Sequence, residues 1–392
     1  MIKQLTTKKI DSTDIWDEMK MVDACEILTC GVASTPKYVD EEIGIPFLSA
    51  QNVRDGEVVL NKYKYISKEF HEKLTSKNKP TKGDLLYSRV GAKYGEAGVV
   101  EHNFEFSVYV SVTLIRAKKE ILNNYFLKHY LNSPRIKELA KQSVTSSGVP
   151  NLNVKSVREF PVPLPPLLQQ KQIVAILDKA FAEIDTAKAN AKQNLQNAKE
   201  LFKSYLQNIF ENKGDDWEEA KWIEVLDIRS GRNQKEVLDP NGDFPILGSA
   251  GKIMGYANSY LCEENTTIIG RKGTINNPIF VTTKFWNVDT AFGLHAGEKL
   301  SSKFLYYFCK SFDFTGMDKG SGRPSLVKTD LLQINISFPS IPEQEKIINK
   351  IDAFYSETKK LETIYTQKIA DLEEMKKSIL KKAFAGQLST LN

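Results

Sequence analysis

Cysteine is scarce in this chain of 392 residues: Cys25, Cys30, Cys262 and Cys309 are the four, and no two form a C-x-x-C pair. That argues against a disulfide scaffold and a zinc ribbon. Histidine is as sparse, and His71, His102, His129 and His295 lack metal-ligand spacing, so neither a metal nor another cofactor is expected. No G-x-x-x-x-G-K-[ST] loop occurs, and Gly91-x-x-x-Gly95-x-x-Gly98 does not follow the dinucleotide fingerprint. Asn277-Pro278-Ile279-Phe280 approximates the motif by which amino-methyltransferases grip a flipped base, but it lacks the second proline. No Ser/His/Asp arrangement stands out, so the chain reads as non-enzymatic. No stretch approaches the roughly 20 apolar residues that span a bilayer. The opening MIKQLTTKKIDSTDIW has no apolar core, so no secretory signal and a cytoplasmic location are expected. Charge of one sign is also missing: 54 Lys+Arg against 49 Asp+Glu leave a net charge of +5. That balance permits nucleic acid as a partner without requiring it.

What the chain does contain is itself, twice. Trp16-x-x-x-Lys20 before Gly31 recurs as Trp217-x-x-x-Lys221 before Gly231. Arg89-Val-Gly91, after a short apolar run, is answered by Arg271-Lys-Gly273. Tyr125-Phe-Leu matches Lys303-Phe-Leu, and Ser147-Gly-Val-Pro150 matches Ser321-Gly-Arg-Pro324. Gln170-x-x-Ile173 and Leu177-Asp178 match Gln344-x-x-Ile347 and Ile351-Asp352. The anchors keep their order while the offset shrinks from 201 to 174. A shared frame with unequal intervening loops describes a duplicated module. With 41% hydrophobic residues, the chain has apolar material for separate cores.

Coarse patterning places the anchors. The segments 57–60, 84–87, 106–115 and 267–269 are β-rich and bounded by Gly, Asn and Pro, while 124–131 and 302–310 predict short helices. Each module therefore reads as α+β with a small twisted sheet. Both end in extended Pro-rich stretches, Phe160–Pro166 and Phe338–Pro342. Long helical patterns follow, closing near Gly214 and Gly386 as C-caps. Ile173, Leu177, Ile184 and Phe202 lie on the apolar stripe of the first; Ile347, Ile351, Leu361 and Leu372 lie on that of the second. Such stripes argue coiled coil, and about 44 residues make a rod roughly 65 Å long. The economical arrangement is two pseudo-symmetric domains separated by the two helices packed antiparallel. The expected divisions are 1–165, 166–213, 214–341 and 342–392.

Two variable modules, each followed by a Pro-rich linker and a Q-x-x-I helix, with Lys382-Ala-Phe-Ala-Gly-Gln-Leu388 near the end, resemble the specificity subunit of type I restriction–modification enzymes. The resemblance covers essentially the whole chain. One departure is Pro166-Leu-Leu-Gln-Gln170, where the family more often has an acidic residue before the Gln, as in Glu343-Gln344. The resemblance implies a non-catalytic reader whose two target recognition domains each read one half of a split, asymmetric sequence in double-stranded DNA. It implies helices that fix the spacer and dock two methyltransferase subunits, restriction subunits joining the full complex. Methyl donor, ATP and nuclease metal then belong to the partners, and no membrane is involved.

A residue shared by both modules should contact backbone or frame, and base-specifying residues should sit in unmatched loops. Arg89, Lys93 and Tyr94 beside Gly91, and Arg271 and Lys272 beside Gly273, are candidates for phosphate contact or for holding the frame. Lys37, Arg54 and Lys82 in the first half, and Arg232, Asn233, Lys252 and Tyr256 in the second, are candidates for base contact. Ser146, Ser147, Lys319 and Arg323 flank the shared Ser-Gly-x-Pro turn. The competing reading, a duplicated scaffold that binds polypeptides, accounts for the repeat and helices but leaves the divergent basic loops without a purpose.

Overall fold

The computed structural model describes residues 16–32, 36–145 and 148–388. It divides into two units: residues 1–190 with 368–392, and residues 191–367.

In the first unit a six-stranded sheet runs Cys25–Cys30, Val112–Ala117, Leu85–Ser88, Ala97–Val99, Glu57–Val58, Val53–Arg54. Its centre is antiparallel, with Leu114 opposite both Thr29 and Leu86. A smaller sheet orders Ser107–Val108, Ile45–Leu48, Lys64–Ile66, Tyr38–Val39. The apolar run 106–115, expected as one strand, is two: the turn at 109–111 carries the chain from the small sheet to the large one. In the second unit the corresponding sheets are four-stranded (Leu226–Ser230, Ala291–Ala296, Thr266–Gly270, Ile279–Val281) and three-stranded (Ile253–Ala257, Phe244–Leu247, Trp286–Asn287). The extra hairpin of the first module, turning at Asp55 and Gly56 with positive φ, occupies the stretch by which its sequence is longer.

The helices Asn124–Leu131 and Ser302–Ser311 sit where patterning places them. The Pro-rich stretches do more than extend. Pro161–Pro163 pairs antiparallel with Glu18–Lys20, and Asn335–Phe338 pairs with Glu218–Lys221, so the end of each module is tied back to its beginning.

The long helices are Leu167–Glu211 and Ile341–Phe384. Gly386 has the left-handed φ of +70° expected of a C-cap. Gly214 does not cap: the first helix stops at Glu211, and the Gly214 carbonyl accepts from Trp217 N–H in a turn. Within each unit the helix segments run antiparallel. Asp185 and Lys188 of the first helix pair with Lys376 and Glu373 of the second, whereas in the second unit Phe202 meets Tyr355 and Tyr205 meets Phe354.

Both helices also enter the module cores. Ile173, Leu177, Leu380 and Ala383 are buried with Phe126 and Tyr130, and Phe384 packs edge-on against both aromatic rings. In the second unit Leu206, Ile348 and Ile351 are buried with Trp222, Phe304 and Phe308, and Phe202 and Ile347 pack against them. Ile184 is buried and Leu372 half-buried. Leu361 departs from expectation, being 38% exposed. Three residues before it on the same helix Thr358 is buried, so the covered strip there is narrower than the apolar stripe.

Candidate nucleic-acid interface

Each module builds the same corner from the same backbone hydrogen bonds. The strand Leu85–Ser88 ends at Arg89, whose N–H donates to Ser111 and whose carbonyl accepts from Leu152. Two residues on, Gly91 N–H donates to Pro150. In the second module Arg271 N–H donates to Thr290, its carbonyl accepts from Leu326, and Gly273 N–H donates to Pro324. The strand end, the crossover turn (109–111 or 288–290) and the Ser-Gly-x-Pro turn therefore meet at one place. Gly91 and Gly273 have φ of +99° and +84°, a conformation side chains rarely adopt. Gly31 and Gly231 close the corner from beneath: an added Cβ would lie 1.8 Å from the carbonyl oxygens of Val108 and Val288.

The two matched arginines serve this frame. Arg89 is 5% exposed; Nη1 donates to the Leu152 carbonyl at 2.7 Å and Nη2 to that of Val110. Burial lowers its pKa from the ordinary value, yet a guanidinium stays charged. Its two terminal nitrogens are turned inward onto carbonyl oxygens and its Nε is buried without a partner, so Arg89 leaves the candidate interface. Arg271 reaches the matching carbonyl, Asp289, at 3.4 Å and lies over the Phe292 ring, but remains half-exposed. In neither case is the partner a carboxylate.

Around the second corner the structure gathers most of the candidates. Arg232 N–H donates to Asn287, and its carbonyl accepts from Trp286 Nε1. Lys272 bridges to Ser325, the guanidinium of Arg323 lies over Gly273, and Lys319 N–H donates to Ser325. The Asp318 carboxylate accepts from Gly320 and Ser325 N–H, which shapes this loop and holds its pKa below the ordinary value. Lys252 and Tyr256 stand apart on the small sheet, linked through Leu247, whose carbonyl accepts from Val288. Asn233 turns its side chain onto Lys235 N–H. Arg232, Lys252, Lys272, Lys319 and Arg323 are exposed and make no ion pair among the described residues.

The first corner is less basic. Lys93 is exposed beside Gly91, and its carbonyl accepts from the Ser88 hydroxyl. Tyr94 packs on the core. Arg54 caps its own hairpin through Gln51, a segment tied to the corner by Ala50 N–H on the Ser111 hydroxyl. Lys37 precedes the strand Tyr38–Val39 of the small sheet. Lys82 precedes Leu85–Ser88 and so lies at the opposite end of that strand from Arg89; it is not brought to the corner. Ser146 and Ser147 lie outside the described residues.

One match escaped the sequence reading. Tyr65 stands opposite Pro46, and Tyr256, taken for an unmatched loop residue, stands opposite Pro245. Ile45-Pro-Phe-Leu48 and Phe244-Pro-Ile-Leu247 carry the signal, in order between the Gly and Arg anchors. The enzyme-like motif is used locally: Asn277 Oδ1 accepts from Lys310 at 3.5 Å, Ile279 and Phe280 lie in the strand Ile279–Val281, and the Phe280 ring packs against Tyr306. No group of His, Cys, Asp or Glu among the described residues is arranged to hold a metal, and no described helix is long and apolar enough to cross a membrane.

A duplicated α+β module with a common corner and differing exposed side chains defines a class of two-headed recognition protein. The family model described as type I restriction modification DNA specificity domain matches residues 14–197 and 214–373, and the chain belongs to that family. Among relatives, a putative type I restriction enzyme MjaX specificity subunit of Methanocaldococcus jannaschii is 22% identical over 98% of this chain and 97% of its own. The EcoBI specificity subunit of Escherichia coli is 30% identical over 54% of this chain and 44% of its own. In fold, the chain resembles one from a structural study of complex assembly and conformational transition of the type I R-M system, with TM-score 0.80, 16% identity, and coverage of 95% and 98%. The HsdS subunit of Thermoanaerobacter tengcongensis gives TM-score 0.59 at 16% identity, covering 95% and 97%.

Proposed function

We propose that this chain is the non-catalytic targeting subunit of a type I restriction–modification complex. Residues 1–165 and 214–341 each read one half of a bipartite, asymmetric duplex target. The helices, 166–213 and 342–392, set the separation of the halves and dock two methyltransferase subunits, to which restriction subunits add the cleavage machinery. The observation carrying this reading is the repeated corner: its backbone is common to both modules, while the exposed side chains on it differ. The common parts suit phosphate positioning, and the differing ones suit base edges. Arg232, Asn233, Lys252, Lys319 and Arg323 are then the reading set of the second module, with Arg271, Lys272 and the matched Tyr256 nearer phosphate. Lys37, Arg54 and Lys93 form that of the first.

Selection from a random duplex library, with the methyltransferase subunit co-expressed and salt near physiological, tests this reading. Two short unrelated half-sites at fixed separation are expected, and Arg232→Ala should alter only one of them. A stable complex that enriches no sequence would move the reading to a polypeptide-binding scaffold.

A further inference from the structure

The linker glutamines make the same set of side-chain contacts in both modules. Gln170 is fully buried; its Oε1 accepts from Asn123 N–H at 2.8 Å, and its Nε2 donates to the carbonyls of Ile121 and Pro165, both at 2.8 Å. Gln344, also fully buried, accepts from Ser301 N–H at 2.8 Å and donates to the carbonyls of Lys299 and Pro339 at 2.9 Å. A planar amide held in three directions by backbone fixes the rotation of the helix's first turn against its module.

Eight residues further along each helix comes a second tie. Asp178 accepts from His129 Nε2 at 2.8 Å. Asp352, its repeat equivalent, accepts from Lys303 at 2.6 Å and from the hydroxyl of Tyr307, which holds the position of His129. The two ties stand about 12 Å apart along the helix axis, so each helix is fixed in direction as well as position. Loosening one tie by about 1 Å swings the helix by roughly 5°, which over some 65 Å displaces its far end by about 5 Å. That exceeds the 3.4 Å of duplex axis that separates successive phosphates of one strand.

We propose that Gln170 and Gln344 are positioning residues that make the complex strict about spacer length. This rests on the reader-and-ruler function above. Gln170 also begins a seven-residue row continued by the buried Leu177, Ile184, Ala191 and Ala198, as Gln344 begins that of Ile351 and Thr358. A polar residue at one position of an apolar row specifies geometry at some cost in stability.

The test uses the full chain with its methyltransferase partner and duplexes carrying both selected half-sites at randomised separation. Gln170→Glu keeps the size of the side chain but turns an oxygen toward two carbonyls. Spacers one base pair longer or shorter than optimal are expected to gain about tenfold relative to wild type, with half-site preference unchanged. Gln344→Glu should do the same from the other module. Ile173→Val, one turn along and buried without a hydrogen bond, lowers stability and should leave the spacer profile sharp. Asp178→Asn stands in if Gln170→Glu fails to assemble, and should broaden the profile in the same sense. Folded glutamate variants, or the substitute, with the wild-type profile would overturn the proposal, as would equal broadening by Ile173→Val. A wild-type complex showing no bipartite preference would instead defeat the functional reading itself.

Discussion

Replacing Arg89 and Arg271 separately by alanine distinguishes frame from interface. Arg89→Ala removes two inward-facing donors and strands the carbonyls of Val110 and Leu152. Losing its partner costs the buried Leu152 carbonyl about 1–3 kcal/mol and the half-buried Val110 carbonyl less, so with the lost side-chain packing the loss should be about 2–5 kcal/mol. For a domain of this size that lowers Tm by roughly 5–15 °C. Arg271→Ala removes one 3.4 Å contact from a half-exposed side chain, and water can replace it, so less than about 1 kcal/mol is expected. The readouts are a thermal melt and the salt dependence of DNA affinity in the assembled complex. Arg271→Ala should flatten the slope of log K against log salt by about 0.9 if the side chain meets phosphate. An Arg89→Ala protein that melts like wild type but binds DNA with a flattened slope would refute the assignment of Arg89 to the frame.

Other outcomes follow from the same geometry. Gly31→Ala and Gly231→Ala each force a Cβ to 1.8 Å from a carbonyl oxygen, an overpacking cost of about 1–3 kcal/mol or more. Each should abolish recognition by its own module only, as read on duplexes with one half-site scrambled; a symmetric loss contradicts module independence. His129 and His71 are buried, and burial holds both below the ordinary histidine value of 6.5. The carboxylate of Asp178 can only accept, so Nε2 of neutral His129 carries the proton between them. The unfolded chain binds protons at these residues as pH falls past 6.5 while the folded chain resists, so stability is full above that range and declines below it. The urea midpoint should therefore drop between about pH 7.5 and 5.5, less so in His129→Asn; a flat midpoint would count against this linkage. Mutating Lys252, Lys272, Lys319 and Arg323 one at a time should each reduce the salt slope by about 0.9 where a phosphate contact is lost. Four unchanged slopes would place the DNA elsewhere on the module.

The duplication was legible because a frame made of backbone hydrogen bonds constrains a few turn residues tightly. Gly31, Gly91 and Pro150 recur as Gly231, Gly273 and Pro324 since the same close approaches recur. The long helices were legible from their periodicity and bounding prolines. Side-chain destinations were harder to read. Nothing local tells that Arg89 finds Val110 and Leu152, residues brought near only by sheet pairing and the crossover turn. The glutamines at 170 and 344 were visible as a match, but their partners lie 43 to 49 residues earlier as well as in the adjoining linker. Leu361 fits an apolar stripe and is nevertheless 38% exposed, because periodicity tells which face a residue shares but not how wide a strip the neighbouring helix covers. Tyr256 shows the opposite failure: a real repeat was missed because its counterpart Tyr65 follows a loop of different length.

The first module's core includes Leu380 and Ala383, with Phe384 against the rings of Phe126 and Tyr130. Those helix residues are synthesised some 250 residues after the aromatic ones they cover. At about 5–20 residues per second, the early half waits roughly 12–50 s on the ribosome with part of its interior uncovered. Ribosome-bound chains stalled near residue 367 should therefore be cleaved readily within the first module, and released full-length chains should resist. The last turns of the second helix thus act as a completion signal for the half that emerged first.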